Sequence, residues 1–282
     1  MIIWIASYPK NGNTWLRALL SSYYFTKDGN FTFDLLKNID AFPSERYFKN
    51  YPDKFLNPED TSKYWIEEQT KINKENKITF LKTHMAICKV SGNSFTNQQN
   101  SLGGIYIVRD PRNVITSLSP HYQLSLDKAY EFMKNEKQAI YVKKNDRYLG
   151  FQLLWYWSTN QKAWIENKQF PVLVIKYEDL LDKTFVTFKK VIDFINNITK
   201  DKSLFNREKA KNSIKNTSFD NLQKLEKEKG FAEALKEKGS EKKIKFFNLG
   251  QENNYKKLLP TNLINEMNEY FKNELIKFNY ER

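Results

Sequence analysis

Four short apolar segments, each followed closely by a helical or loop pattern, constrain the fold of this chain more than any other feature. They span residues 2–8, 78–83, 104–108 and 172–175. Strands with such nearly continuous apolar runs are typical of parallel sheets that are covered by helices on both faces. The sequence therefore predicts an α/β fold of three layers, with a central parallel β-sheet flanked by helices.

The positions of the helices follow from the spacing of apolar residues. Helical spacing is present in residues 14–25, 112–118 and 185–195. Residues 146–167 are predicted to form one long helix, with an aromatic face made by Tyr148, Phe151 and Trp155.

The domain organisation is predicted to be simple. Of the 282 residues, 40% are hydrophobic and 15% aromatic, which is typical of a packed globular protein. The sequence contains no repeat and no interdomain linker, so we expect one domain over residues 1–282. Residues 200–245 are predicted to be helical in part, with breaks at Gly230 and Gly239. Within them, the lysine-rich segment 225–245 is expected to be mobile.

Cysteine and histidine are scarce. Cys88 is the single cysteine, and His84 and His121 are the two histidines. These counts rule out an internal disulfide, argue against a zinc cluster and fit a reducing cytoplasm. The longest internal apolar run, at 153–157, is far shorter than a membrane span. We therefore predict a cytoplasmic protein with no transmembrane segment and no metal site.

The charge of the chain indicates an anionic partner. A formal net charge of +13 fits nucleic acid, an anionic membrane surface or a polyanionic small ligand. Alternatively, most of the lysines solvate surface helices. That interpretation fits residues 68–77 and 196–245, where acidic residues are interspersed.

The loop at residues 8–15 is a candidate oxyanion site. A strand that runs into a tight loop and then into a helix brings backbone N–H groups and the positive end of the helix to one point. Gly12 permits close approach, Lys10 adds a full charge and Thr14 supplies a hydroxyl at the start of the helix. The pattern Gly-x4-Gly-Lys-Ser/Thr is absent, so the binding of ATP and magnesium that is typical of ordinary P-loops is not predicted.

The full string Tyr-Pro-Lys-Asn-Gly-Asn-Thr-Trp at 8–15 resembles the phosphosulfate-binding loop of cytosolic-type sulfotransferases, usually written Tyr-Pro-Lys-Ser-Gly-Thr-Thr-Trp. Six of the eight positions match. The resemblance implies a P-loop-NTPase-like fold and a sulfuryl donor, 3′-phosphoadenosine 5′-phosphosulfate (PAPS), whose product is adenosine 3′,5′-bisphosphate (PAP). It also implies that the loop binds this donor, through Lys10, Asn11, Gly12, Asn13, Thr14 and Trp15.

Further segments are similar to the family in the same order. Arg109 and, eight residues later, Ser117 match the positions that hold the 3′-phosphate of the donor. A guanidinium suits this role because it makes forked hydrogen bonds to phosphate. The other interpretation is that Arg109 pairs with Asp110 or Asp179 as scaffolding. Three more positions resemble those that contact the adenine, namely Tyr177, Thr217 and Phe219.

The C-terminal motif departs from the family pattern Arg-Lys-Gly-x-x-Gly-x-Trp-Lys. The matching stretch places Phe247, Asn248, Leu249 and Gly250 at the donor site, and Asn253 replaces the second glycine. Two charge-assisted contacts to phosphate are therefore missing, each worth roughly 1.5–3 kcal/mol when well placed. The departure puts the affinity for the donor in doubt more than the identity of the donor.

The catalytic residues implied by the resemblance are His84, Lys10 and Lys82. His84 lies in a Lys-Thr-His string at the end of a predicted strand, and the family histidine at this position deprotonates the acceptor. Lys10 is expected to stabilise the departing phosphate oxygen, and Lys82 is a second cation near the transferred group. No metal is required, because these cations supply the positive charge. His121 is interpreted as lining of the acceptor pocket or as surface.

The sequence thus predicts transfer of a sulfuryl group from PAPS to a hydroxyl or amine of a small-molecule, glycan or lipid acceptor. One alternative is a P-loop-type nucleotide-dependent kinase, which the missing Gly-Lys-Ser/Thr ending disfavours. Another is a basic nucleic-acid-binding protein, but no binding motif is present and no nucleic-acid partner is expected. The acceptor and the oligomeric state are left open.

Overall fold

A parallel sheet forms the centre of the molecule. The computed structural model describes residues 1–75 and 77–280, so positions 76, 281 and 282 of the predicted domain lie outside the described residues. The strands of the sheet are β1 (Ile2–Ser7), β2 (Asp40–Ala41), β3 (Thr79–Thr83), β6 (Ser101–Val108) and β9 (Val172–Lys176). Their order is β2-β3-β1-β6-β9, and every pairing is parallel. The four predicted strands are confirmed, and β2 adds a short edge strand.

The remaining strands lie outside this sheet and form two antiparallel pairs. They are β4 (Lys89–Val90) with β5 (Asn93–Ser94), and β7 (Ala139–Lys144) with β8 (Arg147–Leu153).

Helices surround the central sheet. In chain order they are α1 (Asn13–Tyr24), α2 (Glu45–Phe48), α3 (Trp65–Asn73), α4 (Pro111–Tyr122), α5 (Leu126–Lys134), α6 (Trp157–Ile165), α7 (Tyr177–Asp182), α8 (Thr184–Thr199), α9 (Arg207–Asn216), α10 (Phe219–Lys229), α11 (Tyr255–Leu258), α12 (Thr261–Tyr270) and α13 (Lys272–Lys277). Short 3-10 turns cover Phe33–Asn38, Pro58–Tyr64 and Gly250–Glu252. Within the described ranges, no helix is long and apolar enough to cross a membrane.

The two faces of the sheet bury different side chains, because successive residues of a strand point to opposite sides. On β1, Trp4 and Ala6 belong to one apolar cluster, whereas Ile3 and Ile5 belong to another. The first cluster also contains residues of α4, α5, α6 and α12. The second contains residues of α1, α8 and α9. The prediction of three layers around a parallel sheet is confirmed.

The prediction of one long helix over 146–167 is wrong. This stretch forms strand β8 followed by helix α6, with Trp155 between them in a left-handed conformation (φ 57°). Along β8, Leu149 and Phe151 are buried while Tyr148 and Gly150 are more exposed, so the pattern alternates with a period of two. The aromatic residues at 148, 151 and 155 keep helical spacing, but pairing with β7 decides in favour of the strand.

The basic region 200–245 contains α9 and α10, in agreement with its predicted partial helicity. Gly230 ends α10 with φ 69°. The predictions that residues 1–282 form a single domain and that segment 225–245 is mobile stay predictions.

Candidate active site

A cavity of about 430 Å³ opens at the carboxyl ends of the central strands. Ligands of open parallel sheets bind at this edge, where loops from neighbouring strands converge. The loops after β1, β3, β6 and β9 contribute Lys10, His84, Arg109 and Tyr177 to the lining. Side chains that are far apart in the sequence therefore meet at one site.

The first loop is held tightly beneath the cavity. Gly12 has φ 97°, and a Cβ atom there would lie 2.4 Å from the Tyr177 ring, so only glycine fits. Two amides anchor the loop to the sheet: Asn11 Nδ2 donates to the Ile107 carbonyl at 3.3 Å, and Asn13 Nδ2 donates to the Ile5 carbonyl at 3.0 Å.

Not every predicted loop residue lines the cavity. Its lining includes Lys10, Gly12, Asn13, Thr14 and Trp15. The Asn11 side chain is fully buried and binds β6 instead. The predicted role of Asn11 in donor binding stays a prediction.

Lys10 occupies a strained and cationic position. Its backbone is left-handed, with φ 65°, and its ammonium lies 3.9 Å from the centre of the Phe246 ring. Burial, followed by repulsion from Arg109 and Lys82, lowers the pKa of Lys10 to about 7. A bound anion would favour the charged form of Lys10 and raise this pKa again.

Arg109 and Ser117 lie together, as the sequence predicts. Arg109 Nη1 donates to the Lys10 carbonyl at 3.0 Å and to Ser117 Oγ at 3.3 Å, and the guanidinium lies over the Tyr177 ring. The alternative pairing of Arg109 with Asp110 is not observed, because Asp110 forms its ion pair with Arg112 at 2.7 Å. The Nε atom of Arg109 is buried and has no hydrogen-bond partner in the described part of the chain.

His84 is held in one tautomer at the end of β3. Its Nδ1 lies 2.7 Å from the Ser7 carbonyl oxygen, which can only accept, so Nδ1 carries the proton. Its backbone N–H donates to Gln152 Oε1 at 2.8 Å. Burial, followed by the nearby Lys82 charge, lowers the pKa of His84 to about 3. The imidazole is therefore neutral near pH 7, with the lone pair on Nε2.

Lys82 takes part in a partly buried ion-pair network that the sequence does not predict. Glu233 binds Lys82 Nζ at 3.1 Å through one carboxylate oxygen and Arg17 Nη1 at 2.5 Å through the other. Arg17 also donates to backbone carbonyls, including that of Ile39 at 2.9 Å. Glu233 lies 151 residues from Lys82 in a basic stretch, and no local pattern marks it as part of a site.

The predicted C-terminal segment reaches the cavity. The lining includes Phe219, Phe247, Asn248, Leu249 and Gly250. Gly250 is required there, because it has φ 53° and its Cβ would lie 2.5 Å from the Phe219 ring.

Of two further predicted positions, Thr217 lies outside the cavity lining and His121 belongs to it. Thr217 does not line the cavity, because it is fully buried and its hydroxyl donates to the Ser213 carbonyl at 2.8 Å. His121 does line it, and its ring contacts Phe246 edge-on at 5.6 Å.

Comparison with known proteins gives the family. The profile of the sulfotransferase domain matches residues 2–279 of the chain. No curated protein sequence matches the chain significantly.

Solved structures share the fold. Retinol dehydratase in complex with retinol and PAP is 15% identical, with a TM-score of 0.59 over 97% of this chain and 81% of that chain. The same named protein with androsterone and the inactive cofactor PAP is 14% identical, with a TM-score of 0.57 over 97% of this chain and 80% of that chain. Mouse sulfotransferase SULT7A1 complexed with PAP is 17% identical, with a TM-score of 0.58 over 97% of this chain and 83% of that chain. At these identities the likeness bears on the fold alone, which is the P-loop-NTPase-like fold that the sequence predicts.

The family match extends over nearly the whole chain and agrees with the order of the motifs along the sheet edge. The alternative of a P-loop-type kinase is thereby set aside. The chain belongs to the sulfotransferase family, and it is a PAPS-dependent sulfotransferase.

Proposed function

We propose that this protein transfers the sulfuryl group of PAPS to the hydroxyl of a small apolar acceptor, with His84 as the general base. The observation that carries the proposal is the tautomer of His84. Because the Ser7 carbonyl holds the proton on Nδ1, Nε2 has a lone pair ready to accept the proton of an acceptor hydroxyl. A base at this position is commonly worth about 10²–10⁴-fold in rate.

The cations of the cavity suit the sulfuryl donor. Bound PAPS would supply the activated sulfuryl group and a leaving group that gains negative charge during transfer. Lys10 and Lys82 line the same cavity as His84 and would stabilise charge on the transferred group and on the departing oxygen. The buried Nε of Arg109, next to Ser117, has no hydrogen-bond partner among the described residues and fits a phosphate oxygen of the nucleotide.

The acceptor is proposed to be an apolar alcohol. Near His84 the cavity is lined in part by apolar and aromatic side chains, those of Tyr122, Ile140 and Phe246. Retinol and androsterone, which accompany PAP in structures of the same fold, are apolar alcohols. Glycans and charged lipids would find fewer polar partners on these side chains.

A sulfate-transfer assay tests the proposal. Purified protein is given PAPS labelled in the sulfuryl group and a panel of apolar alcohols, phenols, amines and sugars. In His84→Ala we expect turnover to fall at least about 100-fold, because the base is gone. The PAP-induced thermal shift should persist, since His84 is not a proposed nucleotide contact. The matched control is His121→Ala, which removes the other cavity histidine and should keep most of the turnover.

Each part of the proposal can be contradicted by a separate result. Near-normal turnover in His84→Ala would exclude His84 as the base. A wild-type protein that PAP does not stabilise would exclude the donor site. Transfer to sugars but not to apolar alcohols would exclude the proposed acceptor class.

A further inference from the structure

The side chain of Asn253 lies beside the predicted phosphate-binding pair. Asn253 is nearly buried, and its Nδ2 donates to Ser117 Oγ at 2.8 Å. The same Nδ2 donates to the Asn113 carbonyl of α4 at 2.9 Å, and the Thr116 hydroxyl donates to Asn253 Oδ1. The family pattern has glycine at this position. These three hydrogen bonds therefore depend on an asparagine side chain that the family pattern lacks.

The orientation of the Asn253 amide is determined by its neighbours. The Asn113 carbonyl oxygen can only accept a hydrogen bond, so it must face the NH₂ group and not the amide oxygen. The second N–H of the same group then points to Ser117, which must act as the acceptor in that contact.

This arrangement determines the role of the Ser117 hydroxyl. A hydroxyl has one proton and two acceptor lone pairs. Ser117 Oγ accepts from Asn253 Nδ2 and from Arg109 Nη1 at 3.3 Å, which uses both lone pairs. Its own proton is left to be donated.

The usual internal acceptor for this proton is blocked. A helical serine often donates to the carbonyl four residues earlier, which here is that of Asn113. That oxygen already accepts from Asn253 Nδ2 and from the backbone of α4. The buried Arg109 Nε has no partner within residues 1–75 and 77–280, so it and the Ser117 proton are two donors at one edge of the cavity.

We propose that Asn253 is a positioning residue for the 3′-phosphate of the sulfuryl donor. It occupies the lone pairs of Ser117 and so directs the Ser117 proton to a phosphate oxygen beside Arg109. It thereby offsets part of the loss of the Arg-Lys pair at Asn248 and Leu249. This inference rests on the proposed donor site, in which Arg109 and Ser117 hold the 3′-phosphate.

The test compares two nucleotides that differ in the 3′-phosphate. Calorimetric titration gives the dissociation constants of PAP and of adenosine 5′-phosphate, and their ratio measures recognition of the 3′-phosphate. In Asn253→Gly and Asn253→Asp we expect the preference for PAP to fall by about 10-fold, because one hydrogen bond to a charged group is lost or misdirected. Affinity for adenosine 5′-phosphate should stay within about twofold in the glycine variant.

A double-mutant cycle separates positioning from a direct contact. If Asn253 acts through Ser117, adding Asn253→Gly to the Ser117→Ala variant should not change the preference for PAP any further. The matched control is Asn113→Ala. It removes the bond of Asn113 Oδ1 to the Tyr255 amide, at 2.9 Å, and keeps the Asn113 carbonyl, so the wild-type preference should persist.

Three results would overturn the inference. They are an unchanged preference in both Asn253 variants, an equal loss of affinity for both nucleotides, and additive effects of the Asn253 and Ser117 substitutions. A wild-type protein that binds both nucleotides equally would instead show that the proposed 3′-phosphate site of Arg109 and Ser117 is wrong.

Discussion

At the residue scale, the cavity concentrates buried positive charge. Lys10, Lys82 and Arg109 line it, and Glu233 forms an ion pair with Lys82. Burial of like charges is unfavourable unless an anion compensates them, and the lowered pKa of Lys10 expresses this cost. The residues are therefore arranged for a ligand that carries several negative charges, which is what PAPS provides.

The charge state of Lys10 predicts the pH dependence of nucleotide binding. In the unliganded protein its pKa is lowered to about 7, so the fraction that is charged falls as the pH rises above 7. A bound anion favours the charged form and raises this pKa. Affinity for PAP should therefore be highest below pH 7 and fall above it, by up to about 10-fold per unit.

Titration calorimetry from pH 7 to pH 9 measures this dependence, in a range where the phosphates are already ionised. Lys10→Arg is the control, because arginine stays charged over the whole range and should flatten the profile. An equally steep profile in Lys10→Arg would assign the dependence to another group.

At the element scale, the segment from Phe231 to Phe247 closes one side of the cavity. Phe231 and Phe247 are buried in an apolar cluster with residues of α1 and α10. From the same segment Glu233 reaches Lys82 and Arg17, which joins the segment to β3 and α1. One carboxylate thus connects three parts of the chain.

Substitution of Glu233 tests this connection. Glu233→Gln leaves the cations of Lys82 and Arg17 without their counter-charge, so we expect the free energy of unfolding to fall by about 1–3 kcal/mol. Urea denaturation measures the change. The control is Glu237→Gln in the same segment, whose ion pair with Lys242 is exposed and should contribute less than about 1 kcal/mol. Equal effects of the two substitutions would contradict a structural role for the ion-pair network of Glu233 with Lys82 and Arg17.

At the scale of the whole molecule, the two apolar clusters share one sheet. Neighbouring residues of β1, such as Trp4 and Ile5, belong to opposite clusters. Both clusters therefore need the same strand, and neither can form without it. This coupling favours cooperative unfolding as one unit.

We predict coincident thermal transitions by far-UV circular dichroism and by tryptophan fluorescence. PAP at 100 times its dissociation constant should stabilise the protein by about 2.7 kcal/mol and raise both midpoints together. Adenosine, which lacks the phosphates, is the control ligand and should have little effect. Two separate transitions would contradict the predicted single domain.

Particular elements show which parts of the fold local sequence patterns can predict. The strands at 2–8 and 104–108 and the loop at residues 8–15 are predictable because apolar runs and short motifs are local. The same local method is wrong for 146–167, where the pairing of β7 with β8 determines the structure. The prediction that Thr217 contacts the nucleotide stays a prediction, and in the described structure its hydroxyl donates to the Ser213 carbonyl.

By itself the sequence determined the class of fold, the sulfuryl donor and the order of the motifs, because those depend on short stretches of chain. Only the tertiary structure revealed that Glu233 binds Lys82 and that the Asn253 amide donates to the hydroxyl of Ser117. These partners are 151 and 136 residues apart, and neither pair belongs to a local pattern. Such contacts arise when the folded sheet brings its strand ends and the C-terminal segment to one edge, so the chemistry of the site is completed only in three dimensions.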